Sequence, residues 1–197
     1  MAHFSVTWIA EQMRCIKTST ITALCLLLAA PLLFAPMPVL CAESGAGRLV
    51  EVDDLAALGK RSRDARLPIL LVFVAADCGY CRLLEDEFLR PMMISGDYEG
   101  ERVLIRTLHI DSYVQLADFS GAAADADEIA DRYGVFVTPT LLFLDGDGHE
   151  LAKRMIGINT VDYFGAYLDR GIDRSFNRLR VLRAASSGGA PRAGGGG

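Results

Sequence analysis

Residues 69–75 read Ile-Leu-Leu-Val-Phe-Val-Ala, an unbroken apolar run directly after Pro68. Its length and β-branched content predict a strand buried on both faces. Upstream, a helical stretch begins at Asp53, with Asp53 or Asp54 as its cap and Leu55 and Leu58 on one side. From Gly79 the period changes: Leu83, Leu84, Phe88 and Leu89 share a helical face, with Glu85, Asp86 and Glu87 opposite or flanking. Residues 103–110 alternate and predict a second strand, ending at Asp111. Residues 112–124 form a polar, small-residue insertion, and 125–133 predict a helix whose acidic start suits the macrodipole. Residues 140–144 predict a third strand. Asp145-Gly146-Asp147-Gly148 is a hairpin turn, and residues 150–156 return from it as a strand. Thr160 then caps a last helix, along which Val161, Phe164, Leu168, Ile172, Phe176 and Leu179 recur every three or four residues. Gly171 is expected to break or bend it.

The order is helix, strand, helix, strand, helix, strand, strand, helix. It predicts an α/β domain with a mixed central sheet flanked by helices, over residues 43–183. The early strands have crossover helices and can run parallel, while the closing hairpin must be antiparallel. Beyond Arg183 the chain turns to Ala, Ser, Gly and Pro, so residues 184–197 are expected to form a disordered Gly-rich tail.

Residues 1–42 follow a different pattern. Arg14 and Lys17 precede an apolar run from Ile21 to Leu40, which ends at Cys41-Ala42-Glu43. This is the layout of a signal peptide cut after Ala42. An uncleaved membrane anchor is the alternative, since the run is long enough to cross a bilayer. Pro31, Pro36 and Pro38 suit a signal segment better than a regular spanning helix. Met13, just before Arg14, would start a more ordinary signal peptide. The chain carries 20 Lys and Arg against 25 Asp and Glu, a formal charge of −5, and no basic block. That speaks against a nucleic-acid partner.

Export changes the meaning of the cysteines. Three of the 5, Cys15, Cys25 and Cys41, lie in the segment expected to be removed, which leaves Cys78 and Cys81. In an oxidising compartment a stray thiol is a liability, so a mature chain with one close pair points to redox work. Cys78-Gly79-Tyr80-Cys81 sits at a strand-to-helix junction, which puts both thiols in the first turn of a helix, close enough to close a small disulfide ring. The N–H groups and dipole of that turn favour a thiolate at Cys78. The thiolate is the attacking species in disulfide exchange: Cys78 would attack a substrate disulfide and Cys81 would resolve the mixed disulfide.

These residues, together with the strand at 69–75 and Thr138-Pro139 before the hairpin, resemble the thioredoxin superfamily over about residues 50–180. Cys-Gly-Tyr-Cys with Thr before the proline is similar to bacterial periplasmic disulfide isomerases. The resemblance implies a cis peptide bond at Pro139, facing the cysteines, and a substrate chain pairing with the backbone at Thr138 and Pro139. Tyr80 is read as a substrate contact, with tuning of the disulfide ring as the alternative. Two departures stand out. The isomerases carry an N-terminal dimerisation domain for which residues 43–52 leave no room, so a periplasmic reductase or electron shuttle is the better match. The superfamily also places a buried Asp where this chain has Val72, leaving proton transfer at Cys81 to water or to Glu85. Asp77 opposes thiolate formation at Cys78.

The reading that follows is a periplasmic thiol–disulfide oxidoreductase that reduces, or isomerises, disulfides of exported proteins. It needs no cofactor or metal, and the resemblance implies an inner-membrane thiol electron donor. The membrane is a partner only if the N-terminal segment stays uncut. The alternatives are a copper metallochaperone using the same two thiolates and an inert structural disulfide. A zinc site would need four ligands, and His109 and His149 stand alone on predicted strands.

Overall fold

The computed structural model describes residues 47–188. The expected targeting segment, with Cys15, Cys25 and Cys41, lies outside the described residues, as does the tail from 189 onward.

Helix α1 (Leu55–Ala65) starts where the Asp54 carboxylate accepts the Ala57 N–H at 2.7 Å, so Asp54 rather than Asp53 is the cap. Strand β1 (Ile69–Val74) follows, then the cysteine helix, α2 (Gly79–Leu84). Its continuation, Glu85–Leu89, is a π-helical turn leading into α3 (Arg90–Ser95). Pro91 explains the turn. A proline ring clashes with the carbonyl four residues back and offers no N–H. The chain widens by one residue ahead of it, and the Arg90 N–H bonds to the Glu85 carbonyl, five residues back.

Strand β2 (Leu104–His109) pairs parallel with β1. The polar insertion is not entirely irregular, since it holds a ribbon of two short strands, β3 (Leu116–Ala117) and β4 (Ala123–Ala124). Asp118 ties the ribbon's turn, accepting from the Ser120 and Ala122 N–H groups and from the Arg132 guanidinium. After α4 (Ala126–Arg132) come β5 (Thr140–Leu144), antiparallel to β1, and β6 (Glu150–Ile156), antiparallel to β5. The sheet order is β2-β1-β5-β6. Residues 50–52 lie along the outer edge of β2, where the Val52 N–H donates to the Thr107 carbonyl and the Thr107 N–H to the Val50 carbonyl.

β1 is apolar throughout because it feeds two cores. Ile69, Leu71 and Phe73 face α1 and α4, with Leu55, Leu58, Leu104, Leu108, Ile129 and Leu142. Leu70, Val72 and Val74 face the other layer, with Cys81, Leu84, Leu89, Ile105, Leu141 and Phe143. Each fully buried Leu, Val or Phe contributes about 1.5–3 kcal/mol, so this strand is fixed in place on both sides.

Helix α5 (Val161–Gly188) closes the second layer with Phe164, Leu168 and Ile172. It corrects two expectations. Gly171 does not break the helix, which runs through it from Val161 to Gly188. Its bare Cα lets α5 approach β5 so closely that an added Cβ would stand 2.3 Å from Phe143 Cζ. The helix also continues past Arg183 to Gly188, so the first residues assigned to the disordered tail are helical. Arg183 anchors these turns by donating to the Ser62 and Arg63 carbonyls at the end of α1. No helix among the described residues is long and apolar enough to cross a membrane.

Candidate active site

The cysteines sit at the C-terminal end of β1, where a strand buried to its last residue gives way to the exposed turn Ala76-Asp77. Cys78 is the N-cap of α2, extended at φ −104° and ψ 102°, and its Sγ accepts the Cys81 N–H at 3.1 Å. The two sulfurs are bonded, with Cα atoms 5.2 Å apart. They differ in access. Cys78 is half-exposed, whereas Cys81 is 2% exposed and packs with Leu84, Val72 and Phe164. A substrate can reach the first sulfur and not the second.

Pro139 lies at the same end of the sheet. Phe73 of β1 pairs with Thr140, so residue 139 comes opposite the position of Val74. The Thr138–Pro139 bond is cis and Pro139 is buried. Its carbonyl accepts the Gly157 N–H at 2.8 Å, and the Thr140 hydroxyl donates to the Val137 carbonyl at 2.6 Å. The loop is therefore tied on both sides of Thr138. Thr138 is half-buried, and its backbone has no hydrogen-bond partner among the described residues. Tyr80 is 63% exposed, beside Gly79 at the helix tip.

The buried polar and charged residues among those described are Ser62, Arg106, Thr107, Thr140 and Ser175, none of them a carboxylate. Val72 is fully buried in the same layer as Cys81, so apolar carbon occupies the position where the resemblance implies an acid. Glu85, one turn after Cys81, is directed to Arg90 at 3.8 Å. Among the described residues, the group of His, Cys, Asp or Glu side chains close enough to share a cation is Asp145, Asp147 and His149, in the β5–β6 turn. There Asp145 accepts the Asp147 and His149 N–H groups, and Arg63 engages Asp147, so turn architecture accounts for these acids. His109 ends β2 opposite Val74.

Two site residues escaped the sequence reading. The Asp111 carboxylate accepts the Ala76 N–H at 2.8 Å, and the Arg82 guanidinium donates to the Ala76 carbonyl at 3.3 Å. Arg82 follows Cys81 directly and was open to notice. Asp111 is distant in sequence and becomes a neighbour only through the parallel β1–β2 pairing.

A thioredoxin-like domain matches residues 59–172, more than half of the chain and inclusive of both cysteines and Pro139. The chain belongs to the thioredoxin-like family. With the Cys78–Cys81 pair bonded at the tip of α2 within that domain, this member is a thiol–disulfide oxidoreductase. Solved structures of similar fold include oxidised thioredoxin O2 from Arabidopsis thaliana, at 23% identity, 62% of this chain, 92% of that chain and TM-score 0.42. The oxidised C-terminal domain of Neisseria meningitidis DsbD gives 16% identity, 63% and 99% coverage and TM-score 0.43. A DsbH oxidoreductase gives 18%, 65%, 88% and 0.49. No curated protein matches the chain by sequence.

Proposed function

We propose that this thioredoxin-like protein works in the periplasm as a reductase of disulfides in exported proteins. The observation that carries the reading is the unequal exposure of the two sulfurs at one helix start. In the reduced protein the Cys78 thiolate attacks a client disulfide. A Cys78–client bond forms, the client S–S bond breaks, and one client sulfur leaves as thiolate. Cys81 then loses its proton and displaces the second client sulfur. The Cys78–Cys81 bond forms, and the client has gained two electrons. A membrane thiol donor returns the pair to the dithiol by the same exchange in reverse.

The reducing direction rests on charge. A couple becomes strongly oxidising when its reduced form is specially stabilised. Here Asp77 precedes Cys78 directly, and Asp111 and the Arg82 cation both bond to the backbone of Ala76, two residues before it. That balance does not favour an unusually stable thiolate. The half-exposed Thr138, with its backbone unpartnered among the described residues, suits pairing with an extended client chain, and Tyr80 supplies an exposed ring at the tip of α2 for contact. Export is supported by the targeting pattern of residues 1–42. Recovery of the native protein from periplasmic and membrane fractions, with mass spectrometry of its N-terminus, tests this. A mature chain beginning near Glu43 is expected, and an intact cytosolic chain would overturn the location. The activity is tested by reduction of a protein disulfide with the purified domain and a thiol donor. Turnover that survives Cys78→Ser would overturn the mechanism.

A further inference from the structure

The turn that delivers Cys78 to its position has little packing to hold it. Val74 is fully buried, but Ala75 is half-buried, and Ala76 and Asp77 are exposed. What grips the turn is one peptide unit on each side of Ala76. Just past the end of β2 the Ile110 N–H still bonds to the Val74 carbonyl at 3.0 Å, and this places Asp111 beside the turn. Its carboxylate accepts the Ala76 N–H, while Arg82, from the cysteine helix itself, donates to the Ala76 carbonyl.

We propose that Asp111 is a positioning residue for Cys78: by holding the Ala76 N–H it fixes the angle at which the first cysteine caps α2. The inference rests on the oxidoreductase reading and names what sets the geometry of that site. The Cys78 Sγ meets the Cys81 N–H only while the turn keeps Cys78 in its extended N-cap conformation. Hydrogen bonds weaken steeply as they are bent, and this one stabilises the thiolate in the reduced protein. Asp111 thus acts on the sulfur through Ala76, by a bond. Its charge acts the opposite way, because a carboxylate near a thiol disfavours the thiolate. The other ionisable groups around the turn are Asp77 in it, Tyr80 and Arg82 on α2, and His109 at the end of β2.

The two actions differ in sign, which makes them separable. Asp111→Ala removes bond and charge together. Asp111→Asn removes the charge and keeps an oxygen acceptor. The measurement is the alkylation rate of Cys78 by iodoacetamide across pH, on the reduced protein carrying Cys81→Ser, with and without each substitution. Positioning predicts that Asp111→Ala slows alkylation at neutral pH by roughly tenfold and moves the profile upward. It also predicts that Asp111→Asn reacts at least as fast as the parent. Faster reaction in both variants would mean that Asp111 acts by charge alone, and equal slowing in both, or no change in either, would equally overturn the proposal. Asp111 is exposed, so both variants are expected to fold, and matching melting temperatures check this. Alkylation needs no client, so failure of disulfide reductase activity in the parent would overturn the functional reading without touching this result.

Discussion

Cys78 caps the helix on which Cys81 lies, and the Cys81 N–H points back to the Cys78 sulfur at 3.1 Å. One backbone group thus serves the helix start and the nucleophile together. The burial of Cys81 then divides the labour. In the proposed mechanism the outer sulfur meets the client, and the inner one, 2% exposed, waits for the mixed disulfide.

That division predicts unequal outcomes for two substitutions of similar chemistry. Cys78→Ser should abolish disulfide reduction, since a hydroxyl does not replace the thiolate. Cys81→Ser should still attack but not resolve, and should accumulate a mixed disulfide with its client. Non-reducing gel electrophoresis shows the difference directly. Adducts on Cys78→Ser, or none on Cys81→Ser, would contradict the assignment.

Gly171 reports on how α5 seats over the sheet. A methyl group there would meet the Phe143 ring at 2.3 Å, well inside contact distance. Gly171→Ala should therefore destabilise the fold by about 1–3 kcal/mol through overpacking, although alanine is the better helix former. A lower denaturation midpoint is expected, with the cysteine chemistry unchanged.

Arg106 is 5% exposed on β2 and pairs with Glu99 at 2.8 Å, and Glu99 also accepts the Ile105 N–H at 2.7 Å. Removing the carboxylate leaves a buried guanidinium and a strand N–H to find new partners. Glu99→Ala should cost about 2–3 kcal/mol. Glu99→Gln, which keeps an acceptor, should cost less. Urea denaturation of both variants tests the order.

Hydrogen bonds from the Ser120 hydroxyl and the Arg132 guanidinium hold the Asp118 carboxyl down to about 2. A carboxyl with a depressed folded pKa contributes stability that is complete above its unfolded value, about 4, and is lost as pH falls toward its folded one. The stability difference between the parent and Asp118→Asn should be constant near neutrality and shrink between about pH 4 and pH 2. A difference that grows on acidification would contradict the bonding seen in the β3–β4 turn.

Much of the fold was readable along the chain because its signals are local. The run at residues 69–75, the turn at Asp145-Gly146-Asp147-Gly148 and the cysteine spacing each carry their own physics. What escaped notice depends on distance or on brevity. Strands β3 and β4 are two residues each, too short to show a period, and the hydrogen bonds of residues 50–52 to Thr107 form across the sheet edge, far away in sequence. The π-helical turn had a visible cause in Pro91. Glycine within a helix suggests a break when taken in isolation, and Gly171 becomes a point of close approach once Phe143 is known to lie opposite. Asp111 shows the limit most clearly, since nothing in residues 109–113 announces a bond to Ala76 until β1 and β2 are paired.

The direction of electron flow is read from the reduction potential of the Cys78–Cys81 couple, measured by equilibrium titration of the purified domain against a glutathione or dithiothreitol buffer. A reductase should titrate near the thioredoxin end of the scale, about −270 mV. A value near the oxidant end, about −120 mV, would reverse the proposed electron flow, and a pair that never interconverts would contradict the mechanism.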